Sequence, residues 1–102
     1  MLLEIAEIDV RPGAEIAFGK AMREHGIGFL AACEGVVSVQ FGQCVENVSR
    51  FAFTVVWTSM DAHVAARRLD SFGEFRSAFG DMAIGGAMHH YEMGDVVPGP
   101  SA

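Results

Sequence analysis

Long apolar runs, basic charge and local cofactor motifs are what this chain lacks, and each absence narrows what it can do. No uncharged apolar stretch approaches the roughly 18 residues a membrane-spanning helix needs. Lysine and arginine number 7 against 13 acidic residues, for a formal net charge of −6. A phosphate backbone or an anionic lipid surface calls for a basic patch, and the few arginines here are scattered or helical. No nucleic acid and no membrane are therefore expected as partners. The start, Met1-Leu2-Leu3-Glu4, has no basic leader region, which makes the cytoplasm the expected compartment. The 2 cysteines, Cys33 and Cys44, form no CxxC pattern. They read as reduced, small apolar side chains, one ending a helix and one in a strand; a metal or redox pair is the sharper alternative. No glycine-rich loop follows a strand as a dinucleotide or P-loop site requires. No Ser/His/Asp set stands out, and no histidine–carboxylate cluster has metal-ligand spacing. Any enzyme here is expected to use a pocket and a few polar groups, with no bound cofactor and no metal.

What the chain does have is apolar surface: 51% of its 102 residues are hydrophobic. That length suits one domain, expected over 1–97 with a Pro/Gly-rich tail at 98–102. The run Phe51-Ala52-Phe53-Thr54-Val55-Val56-Trp57-Thr58 is apolar on both faces of the strand it must form. Helices from the same chain can cover one face, and a chain this short has little left for the other. The excess predicts a homodimer joined through the sheet face.

Period and punctuation give the element order. Leu2 to Val10 reads as a strand, and Arg11-Pro12-Gly13 as a turn into a helix from Ala14. In that helix Phe18, Met22, His25, Phe29 and Ala32 share a face, which makes His25 a core histidine. Gly26 and Gly28 weaken its end and predict a bulge or a close backbone approach. Glu34-Gly35 stops it, and strands over 36–45 and 51–58 pair through a polar hairpin connection. A short helix over 62–69 and a second begun by the capping box Ser71-Phe72-Gly73-Glu74 precede a last strand over 87–97. The order β-α-β-β-α-β, with its second helical region broken in two, is the α+β ferredoxin-like arrangement: a four-stranded antiparallel sheet with helices on one face.

The reactive residues are few. His63 lies one turn before Arg67; its spacing favours a solvent-facing position over a proton donor or acceptor at a cavity mouth. His89 and His90 alternate in the last strand and must point to opposite faces, so one chain cannot bring both to one metal. Trp57 is either core or a flat wall for an aromatic ligand.

Taken together, Arg11-Pro12-Gly13, Glu34-Gly35-Val36-Val37-Ser38, Val56-Trp57-Thr58-Ser59, Asp61-Ala62-His63, Arg68, Ser71, Phe75, Arg76 and His90-Tyr91-Glu92 form a pattern that resembles the antibiotic biosynthesis monooxygenase family. The resemblance implies a dimeric α+β barrel that oxygenates an aromatic, polyketide-like or quinol substrate without flavin, haem or metal. It implies His63 or His90 as the proton handler and Arg68 as the group stabilising an enolate. It also implies Trp57 as an aromatic wall, Phe75 as a substrate contact and Tyr91 as a further hydrogen-bond partner for the substrate. The haem-degrading branch differs: the helix here reads Phe75-Arg76-Ser77-Ala78-Phe79 without histidine, and strand one carries Glu7 and Asp9 in place of asparagine. An isomerase or cyclase using the same pocket, and a non-catalytic binding dimer, are the competing readings, because fold does not settle function.

Overall fold

The computed structural model describes residues 1–101. Of the 98–102 tail, Ala102 lies outside the described residues. Four strands, β1 (Leu2–Val10), β2 (Val36–Gln43), β3 (Arg50–Trp57) and β4 (Ala83–Glu92), form one antiparallel sheet in the order β2-β3-β1-β4. This is the ferredoxin-like α+β arrangement. Helical segments α1 (Glu15–Ala21), α2 (Ile27–Ala31), α3 (Met60–Ala66) and α4 (Asp70–Ser77) cover one face. No helix among the described residues is long and apolar enough to cross a membrane.

The Arg11-Pro12-Gly13 turn forms through a hydrogen bond from Ala14 N–H to the Arg11 carbonyl, with Gly13 at φ 94° where glycine alone is at ease. Between α1 and α2 the chain stays helical but passes through a π-turn at Met22–Gly26. A π-turn inserts one residue and shifts every later side chain around the axis. The buried stripe therefore runs Phe18, Met22, Gly26, Leu30 and Cys33. His25 and Ala32 are exposed and Phe29 is half-buried. The expectation of a core histidine at His25 fails for this reason. Gly26 is the site of close approach: a Cβ there would lie 2.8 Å from Met22 Sδ.

Other boundaries move too. Helix α3, expected over 62–69, runs Met60–Ala66, capped by Ser59, whose hydroxyl accepts from Ala62 N–H at 3.1 Å. Ser71 does not cap α4, which starts at Asp70; the Ser71 hydroxyl lies 3.3 Å from Cys33 Sγ instead. The last strand begins at Ala83, earlier than its glycines suggest, and ends at Glu92. Gly86 belongs to it because a Cβ there would collide with the Glu7 carbonyl of β1.

On β3 the alternation is clean. Phe51, Phe53, Val55 and Trp57 are buried beneath the helices, and Ala52, Thr54 and Val56 are half-buried on the open face. Trp57 is thus a residue of the helix-covered face.

Candidate functional site

Period-two alternation places Leu2, Glu4, Ala6, Ile8 and Val10 of β1 on the helix-covered face. Glu4 is the one carboxylate in that series, and only 9% of its side chain is exposed. Register then sets its neighbours. On β4, His90 sits opposite Glu4, and on β3, Val55 does, with Trp57 one step further along the same face. From above, the cap at Ser59 starts α3 so that His63 and Ala66 point down into the core.

The result is a buried polar cluster. Trp57 Nε1–H donates to Glu4 Oε1 at 2.9 Å. The same oxygen lies 3.2 Å from His63 Nδ1 and 3.6 Å from His90 Nε2. The two imidazoles face each other with centroids 4.5 Å apart, and the Trp57 ring meets His63 edge-on at 5.0 Å. Neither nitrogen of His63 has a hydrogen-bond partner, and nor does His90 Nε2. Burial holds the His63 imidazole below its ordinary pKa. The Glu4 charge pulls the other way, and His90 and Arg67 add to the lowering. A lowered pKa favours the neutral imidazole, whose ring lone pair is suited to accept a proton.

Beside this cluster lies a cavity of about 510 Å³. That volume is typical of small-molecule sites, which run to about 300–1,000 Å³. Phe53, Phe72, Phe75 and Phe79 give it aromatic walls, and Glu4 and His63 are its buried acid–base groups. Arg67 and Arg76, both exposed, supply positive charge. Gly86 of β4 lines one side. A second hollow, of about 420 Å³, is lined by Gly35, Thr58, Ala62, Ala65 and Leu69 among others, and no imidazole reaches it.

The residues singled out in the sequence divide accordingly. His63 and Phe75 line the cavity. His63 is buried, against the solvent-facing position that its spacing favoured. His90 touches His63 and Glu4 from behind, and His89 is exposed on the other face. Trp57 is fully buried and holds Glu4; it does not line the cavity. Arg68 is exposed and outside the lining, whereas its neighbour Arg67 is within it. Tyr91 pairs with Leu3 on the open face, 47% exposed, and is not brought to the cluster.

Glu4 and Arg67 went unrecognised in the sequence, although both left a signal there. Glu4 shares parity with Leu2, Ile8 and Val10, so it had to enter the core. Arg67 follows His63 by one helical turn. The statement that no histidine–carboxylate cluster has ligand spacing holds along the chain and fails in space, because β1, α3 and β4 each contribute one member.

Comparison with known proteins agrees with this architecture. The family model for antibiotic biosynthesis monooxygenase matches residues 1–78. The chain belongs to the antibiotic biosynthesis monooxygenase family. Among solved structures, a protein from Bordetella bronchiseptica described as a candidate member of that class is 29% identical, with a TM-score of 0.77 over 90% of this chain and 95% of that one. SnoaB, a cofactor-independent oxygenase from Streptomyces nogalater, is 17% identical, with a TM-score of 0.78 over 96% of this chain and 97% of its own. A Deinococcus radiodurans protein of the same description shares 11% identity at a TM-score of 0.78, covering 99% of this chain and 100% of that one. The last two are likenesses of fold. Among curated proteins none matches in sequence.

Proposed function

We propose that the protein is a cytoplasmic homodimer that oxidises an acidic aromatic substrate, an anthrone or a quinol, with molecular oxygen. The observation that carries this reading is a buried imidazole, His63, lining a cavity walled by phenylalanines. An aromatic substrate packs against Phe53, Phe72, Phe75 and Phe79. His63 takes its acidic proton, and Arg67 stabilises the resulting oxyanion in the place first given to Arg68. The carbanion passes an electron to oxygen, the radical pair combines, and loss of water leaves a carbonyl. For an anthrone the balance is one methylene and one O₂ in, one carbonyl and one H₂O out. The substrate is its own electron source. Membership of the family supports this class of reaction.

The same reading assigns the open sheet face to a second copy of the chain. Leu3, Ile5, Ala52, Thr54 and Val56 form a half-buried surface there, with Tyr91 beside Leu3. Tyr91 then belongs to the interface. Size measurement in solution checks this, and a stable monomer at micromolar concentration contradicts it.

The test of the activity is oxygen uptake by chelator-treated protein with anthrone and dihydroxynaphthalene substrates, with ¹⁸O₂ label followed into product. Label in the new carbonyl supports the reading. Turnover under strictly anaerobic conditions supports the isomerase or cyclase instead. Binding of the aromatic without turnover in either atmosphere supports the binding dimer.

A further inference from the structure

We propose that Glu4, His63 and His90 form a binding site for a divalent first-row transition metal ion, open to the cavity. The first argument is geometric. One ligand atom from each residue lies within 4.8 Å of the others, with Glu4 Oε1 at 3.2 Å from His63 Nδ1 and 3.6 Å from His90 Nε2. Bonds of about 2.0–2.2 Å to nitrogen and oxygen put neighbouring donors about 3.0–3.5 Å apart around a tetrahedral or octahedral ion. The two edges that meet at Glu4 Oε1 are already at or near that spacing.

The second argument is the accounting of hydrogen bonds. Buried polar atoms almost always have a partner, and an exception needs a cause. Both ring nitrogens of His63 and Nε2 of His90 are buried with none. The His63 side chain is 2% exposed, so bulk water does not reach it. One ion takes a single nitrogen from each ring, so it accounts for His63 Nδ1 and His90 Nε2, the two that lie 3.2 Å and 3.6 Å from Glu4 Oε1.

Support around the ligands is also present. Trp57 Nε1–H holds Glu4 Oε1 in place at 2.9 Å, as outer hydrogen bonds commonly hold ligating carboxylates. Glu4 and His90 are register partners on adjacent strands, and the Trp57 ring fixes His63 from the side. Two imidazoles and a carboxylate suit zinc, iron(II), cobalt(II) or nickel(II); calcium and magnesium prefer an all-oxygen shell, and copper(I) prefers sulfur. Glu4 and His63 both line the cavity, so an ion held between them lies at its wall, within reach of a ligand bound there. One carboxylate leaves a divalent ion with net positive charge, so the exogenous ligand it favours is an anionic oxygen such as a phenolate or enolate. A bound metal occupies the lone pair with which His63 would accept a proton, so metal-loaded and base-competent sites are alternative states. The inference does not depend on the oxygenase reading.

The experiment is a titration of tag-free, chelator-stripped protein with cobalt(II), followed by visible absorption, with zinc(II) as competitor. We expect saturable d–d bands at one ion per chain, lost on addition of zinc. His90→Ala and Glu4→Gln should each weaken binding by more than tenfold. Trp57→Phe, which removes the supporting hydrogen bond together with part of the ring that packs on His63, should weaken it by about 10- to 100-fold. His25→Ala and His89→Ala, both exposed, should bind as the parent does. His63→Ala removes a buried ring and can unfold the chain, so the half-buried His90 carries the decision, with circular dichroism confirming its fold. Absence of saturable bands overturns the inference. So does equal affinity in parent and His90→Ala, or an equal loss in His89→Ala. No substrate or oxygen enters the titration, so its failure leaves the oxygenase reading untouched, and failure of oxygen uptake leaves the metal site untouched.

Discussion

The two ends of the helix-covered sheet face are built from the same strands to opposite rules. At one end Phe51 of β3 stands beside Ile8 of β1, and Phe18, Phe41, Phe53 and Phe79 close around it. Phe41 and Phe51 stack at 5.4 Å, and Phe18 meets Phe51 at 5.1 Å. Nothing polar is buried there without a partner. At the other end, where Trp57 pairs with Leu2, the same face carries Glu4, His63 and His90 with three unpartnered nitrogens. An unsatisfied buried polar group costs about 1–3 kcal/mol. The phenylalanine end therefore supplies stability, and the polar end gives some of it up to keep a chemically capable cluster.

The largest expected effect breaks the first end. Phe18→Ala or Phe51→Ala, each removing a ring exposed by 1% or less, should cost about 3–5 kcal/mol in urea unfolding. Cobalt binding by the folded fraction should survive. The opposite result should follow at the second end. His63→Phe replaces an unpartnered imidazole with an apolar ring, so unfolding free energy should stay within about 1 kcal/mol of the parent, or rise, while oxygen uptake disappears. A loss of 3 kcal/mol or more, measured the same way, contradicts the trade between stability and function drawn here.

Gly86→Ala probes the strand that joins the two ends. Its Cβ would meet the Glu7 carbonyl, so the β1–β4 ladder must shift, at a cost of about 1–3 kcal/mol readable as a lower urea midpoint. The smallest effect lies away from both ends. Glu15 accepts from the Ser49 hydroxyl at 2.6 Å, and that bond, followed by backbone N–H groups, holds its carboxyl below the usual range. A carboxylate with a lowered folded-state pKa stabilises the fold above its unfolded pKa, and that contribution is lost as pH falls through the folded value. Ser49→Ala should thus melt slightly below the parent at pH 7, with the gap closing as the solution is made acid through the carboxylate range.

Legibility followed the same division. β1 could be read from Leu2 to Val10 at both ends, and the order β-α-β-β-α-β follows from where the apolar period changes between two and 3.6. The phenylalanine end was visible because alternation and helical stripes are local. The π-turn was not, since it is a backbone insertion with no residue of its own, and it turned His25 outward. The early start of β4 was hidden by Gly85 and Gly86, which read as breakers when one of them is required by contact with β1. The polar cluster was the least visible, because Glu4, His63 and His90 come from three elements and no local spacing joins them. Trp57, His63, His90 and Phe75 stand out in the sequence, but Glu4, the carboxylate that organises three of them, does not.

The most direct test of the division is oxygen uptake by chelator-treated parent, His63→Gln and His25→Gln proteins on the same anthrone. The account predicts that His63→Gln lowers turnover by about 10²–10⁴-fold while His25→Gln, on the exposed side of its helix, turns over as the parent does. Turnover by His63→Gln within twofold of the parent would contradict it.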